Sequence, residues 1–187
     1  MILYQQQLFS SEESLEIRSY VRELKDRVVT IYLNEKYDKN GGHNLADHIS
    51  WWDSNNKYDW VHKRIFDWTS TLDLPRKLEK LGAEFIVQKY LKGFEFKPHN
   101  DHVLGPDKKT MLRDRVYSIL IQLSDVSEYE GGELYVNTDI ENKINQTQGT
   151  VCIFDSGQTH WVNKITKGER WSSTIFIESD SLKKQLL

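Results

Sequence analysis

The stretch Phe94-Glu95-Phe96-Lys97-Pro98-His99-Asn100-Asp101 decides how this chain is read. Its lead-in alternates apolar and polar residues, as a strand with one buried face does. Along an extended strand, residues i and i+2 point to the same side. His99 and Asp101 can therefore grip one ion together, while Asn100 and His102 face away. Another histidine, His160, follows the run Gly149-Thr150-Val151-Cys152-Ile153-Phe154 and the turn residues Asp155, Ser156 and Gly157. That is the pattern of a buried strand and its turn. Two histidines and one carboxylate make up the ligand set of an open-sided non-haem iron(II) site, with three positions left free. Taken alone, His99 and Asp101 also fit a hydrogen-bonded pair at a strand end.

Ten residues beyond His160, Arg170 opens a β-rich run, Arg170-Trp171-Ser172-Ser173-Thr174-Ile175-Phe176-Ile177. Alternation puts Arg170, Ser172 and Thr174 on one face and Ile175 and Ile177 on the other. A guanidinium beside a hydroxyl can cradle a carboxylate, because its planar fork donates two parallel charge-assisted bonds. In isolation Arg170 also fits an ordinary arginine on an edge strand.

The N-terminal third reads as helical support. Ser10-Ser11-Glu12-Glu13 is a capping-box start, followed by Ile17, Val21, Leu24 and Val28 at helical spacing. Val61, Ile65, Trp68 and Leu72 repeat that spacing and predict another helix. A short third one is expected from Pro75 to Gly82. Between the first two, Tyr37 to Asp59 is mostly polar and reads as loop. Trp51 and Trp52 stand out there, either as a substrate platform or, more plainly, as anchors of that loop. His43, His48 and His62 read as loop or surface residues.

From Ala83 onward, short β-type runs alternate with turns, at about 84–91, 94–101, 115–124, 132–137, 149–155, 159–165 and 170–178. Many short strands at close spacing suggest an antiparallel sandwich or barrel. Gly131-Gly132 fits a strand bend that larger residues would block. Val103 to Arg113 reads either as a solvated loop or as a substrate lid leaving the metal strand. The expected organisation is one domain over 1–187: helical support and loops at 1–82, a β core at 83–180 and a tail at 181–187.

Composition narrows the partners. A net charge of −3 gives no polybasic surface to draw the chain to phosphates, so nucleic acid is not an expected partner. The chain is 12% aromatic and carries six tryptophans, too many large apolar groups for a disordered chain. Cys152 is the single cysteine, so no internal disulfide can form, which suits a reducing compartment. It lies inside an apolar run and reads as a buried inert thiol. Met1-Ile2-Leu3-Tyr4 leads into three glutamines rather than a signal-peptide core, and no stretch approaches the ~20 apolar residues of a membrane span. The expectation is a soluble cytoplasmic protein without a membrane partner.

Together these residues resemble the Fe(II)/2-oxoglutarate-dependent oxygenases, in particular the prolyl 4-hydroxylase-type branch. The likeness runs from roughly Glu84 to Ser179. It is carried by Gln88-Lys89-Tyr90-Leu91-Lys92-Gly93 with His99-Asn100-Asp101, and by the core strand Arg115 to Asp125. Tyr129-Glu130-Gly131-Gly132-Glu133-Leu134, His160-Trp161-Val162 and Lys167-Gly168-Glu169-Arg170 complete it. The resemblance implies a mainly β fold, a double-stranded β-helix (jelly roll) core supported by N-terminal helices. It implies iron ligation by His99, Asp101 and His160, and an ion pair from Arg170 to the far carboxylate of 2-oxoglutarate.

Tyr90 would line the co-substrate pocket, although a half-buried strand tyrosine would look the same, and Ser172 would add a hydrogen bond. Trp51, Trp52 and Trp161 are the candidate substrate residues, and Gln122 has no assigned role. Implied cofactors are Fe(II), 2-oxoglutarate and O2, with ascorbate as reductant. The implied reaction is hydroxylation of an unactivated C–H bond with release of succinate and CO2, most simply on a prolyl residue of a peptide or protein. Halogenating relatives lack the carboxylate that Asp101 supplies. Relatives that demethylate bases carry a further arginine where this chain has Phe176. A free amino acid or other small molecule remains open as substrate. So do a non-catalytic jelly-roll binding module and a cupin-like metal enzyme that does not use 2-oxoglutarate.

Overall fold

The run Arg-Val-Tyr-Ser-Ile-Leu-Ile-Gln at 115–122 is apolar on both sides of its alternation, which a strand sustains only when both faces are covered. The computed structural model of the protein describes residues 2–23, 48–52, 59–76, 85–101, 103–104, 111–113, 115–137 and 143–178. In chain order its elements begin with β1 (Ile2–Gln7), α1 (Ser11–Glu23), β2 (His48–Trp52) and α2 (Asp59–Ser70). There follow β3 (Phe85–Leu91), β4 (Phe96–His99), β5 (Val103–Leu104), β6 (Met111–Arg113) and β7 (Arg115–Gln122). After a 3-10 turn at Val126–Glu128 come β8 (Tyr129–Gly131), β9 (Leu134–Val136), β10 (Thr150–Asp155), β11 (His160–Val162) and β12 (Ile165–Glu178).

The larger sheet has the order β1-β10-β7-β12-β3-β2, with β8 also pairing to β12, and the smaller one has the order β4-β11-β9. Every pairing is antiparallel. One face of the larger sheet, with Ile119, Ile121, Ile153 and Ile175, packs against Ile17 of α1 and Val61, Ile65 and Trp68 of α2. The other face, with Leu120, Cys152 and Phe154, meets Leu134, Val136 and Val162 of the smaller sheet. Two facing antiparallel sheets with helices backing the larger one form the expected jelly roll with helical support.

The helix starts follow from local chemistry. Ser10 caps α1: its hydroxyl accepts from Glu13 N–H while the Glu13 carboxylate accepts from Ser10 N–H, the reciprocal capping box. Ile17, Val61, Ile65 and Trp68 all lie in the core, as their spacing requires. The third helix expected at Pro75 to Gly82 falls largely on residues outside the described ones, as do Leu24, Val28, His43 and the 181–187 tail.

Two expectations about the N-terminal third need correction. The N-terminal segment expected as helices and loops also supplies β1 and β2, which lie at opposite ends of the larger sheet. Its Gln5-Gln6-Gln7 half is exposed on an edge strand, so it carries no apolar signal. Trp51 and Trp52 lie on β2, opposite Ile86 and Phe85 of β3, rather than in a loop. In the 103–113 stretch, β5 and β6 pair as a hairpin, while residues 105–110 lie outside the described ones.

His62, expected at the surface, is buried on α2. Its ring meets Phe85 edge-on, and among the described residues its Nε2 has no hydrogen-bond partner. Burial holds its pKa below the usual histidine value. The unfolded chain therefore takes up a proton near pH 6.5 that the folded chain resists. Stability is unaffected above that pH and falls as pH drops through the window below it. We expect His62→Leu to lose less stability, and less Tm, than the wild type between pH 7 and 5.5. Parallel thermal melts at the two pH values would show this, and equal losses in both proteins would refute it.

Candidate metal and co-substrate site

His99 closes β4 and His160 opens β11, and the two are direct cross-strand partners. Their rings lie 4.2 Å apart between centroids. Phe96 stacks on His99 at 3.9 Å, and Phe154 packs against His160 at 4.9 Å. The Nδ1 of His99 lies 2.7 Å from the carbonyl oxygen of Lys97, and that of His160 lies 3.0 Å from the carbonyl of Gln158. Carbonyls only accept, so each Nδ1 carries the hydrogen, and the lone pair of the neutral ring sits on Nε2. Both Nε2 atoms approach Asp101: His99 lies 3.8 Å from Oδ1 and His160 lies 3.4 Å from Oδ2. One donor atom from each of the three residues falls within 4.8 Å of the others.

The expected strand extended through Asp101, but β4 stops at His99. Asp101 is instead placed by its surroundings. Its N–H donates to the Ser156 carbonyl at 2.9 Å, and its carbonyl accepts from Arg115 Nη1 at 3.4 Å. Ser118 Oγ donates to its Oδ2 at 2.6 Å.

The three donors line a cavity of about 230 Å³. Its walls are Phe96, Leu134 and Val162 of the smaller sheet, with Ile86, Gln88, Tyr90, Leu120, Thr174, Phe176 and Arg115 of the larger one. Phe176, where a second arginine would mark base-demethylating relatives, is covered by the Arg115 guanidinium at 3.5 Å.

Two and four residues back along β12 from Thr174, on the same face, stand Ser172 and Arg170. Arg170 is 3% exposed and is the register partner of Tyr90 on β3. Its Cζ lies 5.5 Å from the Tyr90 ring, and Nη1 donates to Ser172 Oγ at 3.3 Å. Its Nε has no hydrogen-bond partner, and among the described residues no carboxylate lies within ion-pair distance. A buried charge left without an opposite charge is costly, so this end of the cavity face fits an anionic ligand group. Burial pushes the Tyr90 phenol up to about 12, with Asp101 adding to the rise and Arg170 and Ser172 opposing it. Burial likewise pushes the Cys152 thiol up to about 12, in keeping with an inert core residue.

Gly132 has φ +66°, and a Cβ there would lie 2.3 Å from Ile165 Cδ1 and 3.1 Å from Arg170 Cδ. The double glycine thus does more than bend the chain, because it clears the stem of Arg170. Gln122, left without a role by the sequence, donates to the Ser124 carbonyl and to Tyr129 Oη, 2.9 Å each.

Trp161 does not join the site. It alternates with His160 on β11 and stacks on Tyr135 at 5.2 Å, away from the cavity. The side chains of Trp51 and Trp52 lie outside the described ones. Ser118 and Ser156 went unnoticed in the sequence. A lone hydroxyl inside Val-Tyr-Ser-Ile-Leu-Ile, on the same face as Leu120, was the available signal for Ser118.

Comparison with known proteins agrees with this geometry. The family model described as 2OG-Fe(II) oxygenase superfamily matches residues 85–178, half of the chain and the part that carries all three donors and Arg170. The chain belongs to the 2OG-Fe(II) oxygenase superfamily. A PKHD-type hydroxylase of Thioalkalivibrio sulfidiphilus is 37% identical over 99 residues, 52% of this chain and 42% of that one. Another, of Gluconobacter oxydans, is 31% identical over 107 residues, 54% of this chain and 47% of that one. The chain thus spans less than half the length of these curated relatives.

Among solved structures, this superfamily member shares its fold with the viral collagen prolyl hydroxylase of Paramecium bursaria Chlorella virus-1 in its 2OG complex. The TM-score is 0.69 at 15% identity, over 94% of each chain. A prolyl hydroxylase of Trichoplax adhaerens, in complex with a hypoxia inducible factor peptide fragment, gives a TM-score of 0.68 at 16% identity. That match covers 98% of this chain and 86% of that one.

A donor set of this kind should bind a divalent cation without any co-substrate. At a Co(II) concentration about 100-fold above Kd, binding adds roughly 2.7 kcal/mol, or about 5–10 °C in Tm for a domain of this size. Differential scanning fluorimetry with and without Co(II) should show the rise in wild type and not in His160→Ala. The assignment of the donors fails if the variant shows the same rise.

Proposed function

We propose that this chain is an Fe(II)- and 2-oxoglutarate-dependent dioxygenase that hydroxylates a C–H bond, with a prolyl residue in a peptide or protein as substrate. The observation that carries the reading is a two-histidine, one-carboxylate cluster lining the cavity, together with a buried arginine on the cavity-facing side of β12 that has no carboxylate within ion-pair distance among the described residues. Residues of this type suit iron through their imidazole and carboxylate donors, and suit a dicarboxylate through the guanidinium fork. The fold likeness to prolyl hydroxylases favours a peptidyl proline over a free amino acid.

Bound together, iron, 2-oxoglutarate and O2 supply the oxidising chemistry: the keto acid leaves as succinate and CO2, and one oxygen atom enters the substrate C–H bond. The protein's part is binding and orientation. In this reading His99, Asp101 and His160 hold the iron, and Arg170 holds the far carboxylate of 2-oxoglutarate. The Ser172 hydroxyl lies beside that arginine. The Tyr90 phenol, kept protonated by its raised pKa, stays a hydrogen-bond donor throughout the neutral range. Leu120, Leu134 and Val162 give the cavity apolar walls. Ascorbate as a reductant and a cytoplasmic setting, in keeping with the unpaired Cys152, complete the proposal.

Anaerobic titration with Fe(II) and 2-oxoglutarate tests it through the weak visible charge-transfer band of the chelate. Wild type should develop the band, and Asp101→Ala should not. Arg170→Ala should need at least tenfold more 2-oxoglutarate for half-saturation, since losing one partner of a buried charge pair costs about 2–5 kcal/mol. Gly132→Ala should shift the same midpoint upward by about tenfold, because its methyl group displaces the arginine stem. A band with an unchanged midpoint in Arg170→Ala would remove 2-oxoglutarate from the proposal. Incubation of the loaded protein with proline-containing peptides should then give products one oxygen heavier. Oxygen gain on free proline alone would move the substrate to the small-molecule class.

A further inference from the structure

We propose that Ser118 is a positioning residue for Asp101, with Ser156 behind it, an inference that rests on the iron-binding reading of the cluster. Ser118 and Ser156 are both 0% exposed, and Ser118 lies on β7, which is buried from Val116 to Gln122. The Ser118 hydroxyl donates to Asp101 Oδ2 at 2.6 Å, within the range of a charge-assisted O–H···O⁻ bond. The two serine oxygens lie 2.9 Å apart. A hydroxyl has one hydrogen to give. Since that of Ser118 goes to the carboxylate, Ser156 is the donor between the serines. The order Ser156 to Ser118 to Asp101 follows, each bond polarising the next.

Ser156 also holds the other end of the same residue, its carbonyl accepting from Asp101 N–H at 2.9 Å. Ser156 N–H in turn donates to the Val116 carbonyl at 3.0 Å, which ties the turn to β7. The chain of hydroxyls is built on the sheet itself, since Ser118 is the register partner of both Phe154 on β10 and Phe176 on β12.

The consequence concerns how the carboxylate meets the ion. With Oδ2 held by Ser118, rotation of the carboxylate is fixed, and among the described residues Oδ1 has no hydrogen-bond donor. Asp101 would then offer a bound ion a single oxygen in a fixed direction. Without the hydroxyl, the carboxylate could turn, lose its aim, and leave a buried serine without its acceptor. Groups that orient a metal ligand typically change affinity by about 10- to 100-fold when removed.

The test is Co(II) binding by calorimetry together with the visible d–d spectrum, on wild type and on Ser118→Ala, Ser118→Thr, Ser156→Ala and Asp101→Ala. Melting of each metal-free protein accompanies it. We expect Ser118→Ala to melt near wild type yet bind Co(II) about 10- to 100-fold more weakly, with an altered d–d band. Ser118→Thr, which keeps the hydroxyl on a residue suited to a strand, should restore affinity and band. Ser156→Ala should lose affinity by less than Ser118→Ala.

Wild-type affinity and spectrum in Ser118→Ala, alongside lost binding in Asp101→Ala, would overturn this proposal and leave the iron reading intact. A threonine variant that folds but binds no better than the alanine variant would also overturn it. Unchanged binding in Asp101→Ala would sink the iron reading, and this inference with it.

Discussion

Period-two alternation in the larger sheet is the constraint on which the rest of the structure depends. On β7, β10 and β12 both faces are covered, so each strand must satisfy two environments at once. Ile119, Ile121, Ile153 and Ile175 meet the helices, while Ser118, Leu120, Gln122, Cys152, Ser172 and Thr174 turn to the smaller sheet and the cavity. A slip of one residue in any of these strands would exchange the two sets. It would drive Arg170 into the isoleucine layer and expose Ile175 to the site. The apolar layer therefore does more than stabilise the fold, because it locks the register that aims the polar side chains. Ile119 and Ile175 are direct partners in the ladder. So the same pairing that fills the core also sets Ser172 opposite Gln122, and Arg170 opposite Tyr90 across the next strand.

The strand that bears Arg170 is held from its other face as well. Glu169 and Trp171, flanking Arg170, point towards α1. Lys89 pairs with Glu169 at 2.7 Å, and Arg18 of α1 pairs with Glu128 at 2.8 Å while lying over Trp171 at 5.4 Å. Arg18 is almost fully buried and its charge is answered, whereas among the described residues that of Arg170 is not. Two buried arginines on opposite sides of one sheet thus have different chemistry. One is a structural tie between a helix, the turn at 126–128 and β12. The other, among the described residues, has no carboxylate within ion-pair distance.

How much of this could be read from residues alone depended on where the signal was repeated. His99, His160 and Arg170 were legible because each lies on a strand, and Asp101 through its spacing from His99 although the strand ends before it, while the helix stripes were legible because core contacts recur at helical spacing. Edge elements were not. The glutamines of β1 leave no apolar pattern, and the Tyr37 to Asp59 segment is polar enough to hide β2. His62 was misplaced for a related reason. Its burial comes from Phe85, a residue on another element, and nothing in its own neighbourhood announces that contact. Trp161 follows His160 in sequence, but adjacent residues in a strand face opposite ways, and it stacks on Tyr135 rather than lining the cavity. Ser118 and Ser156 could be paired only in three dimensions, since 38 residues separate them.

The three donors are also held with unequal rigidity, and the difference is informative. His99 and His160 are cross-strand partners whose imidazoles are fixed by ladder pairing, by ring packing and by hydrogen bonds to carbonyls two residues away. Asp101 has left its strand and has no ladder partner. A short carboxylate at such a point would be free to rotate about its side-chain bonds. Its backbone is instead gripped at both ends, by the Ser156 carbonyl and the Arg115 guanidinium, and its carboxylate by the Ser118 hydroxyl. These three contacts come from β7 and from the turn after β10, both part of or adjoining the larger sheet. The smaller sheet therefore presents the histidines while the larger sheet aims the carboxylate. A site built this way forms only when the two sheets close on each other, so the donor geometry is a property of the completed jelly roll rather than of any one segment.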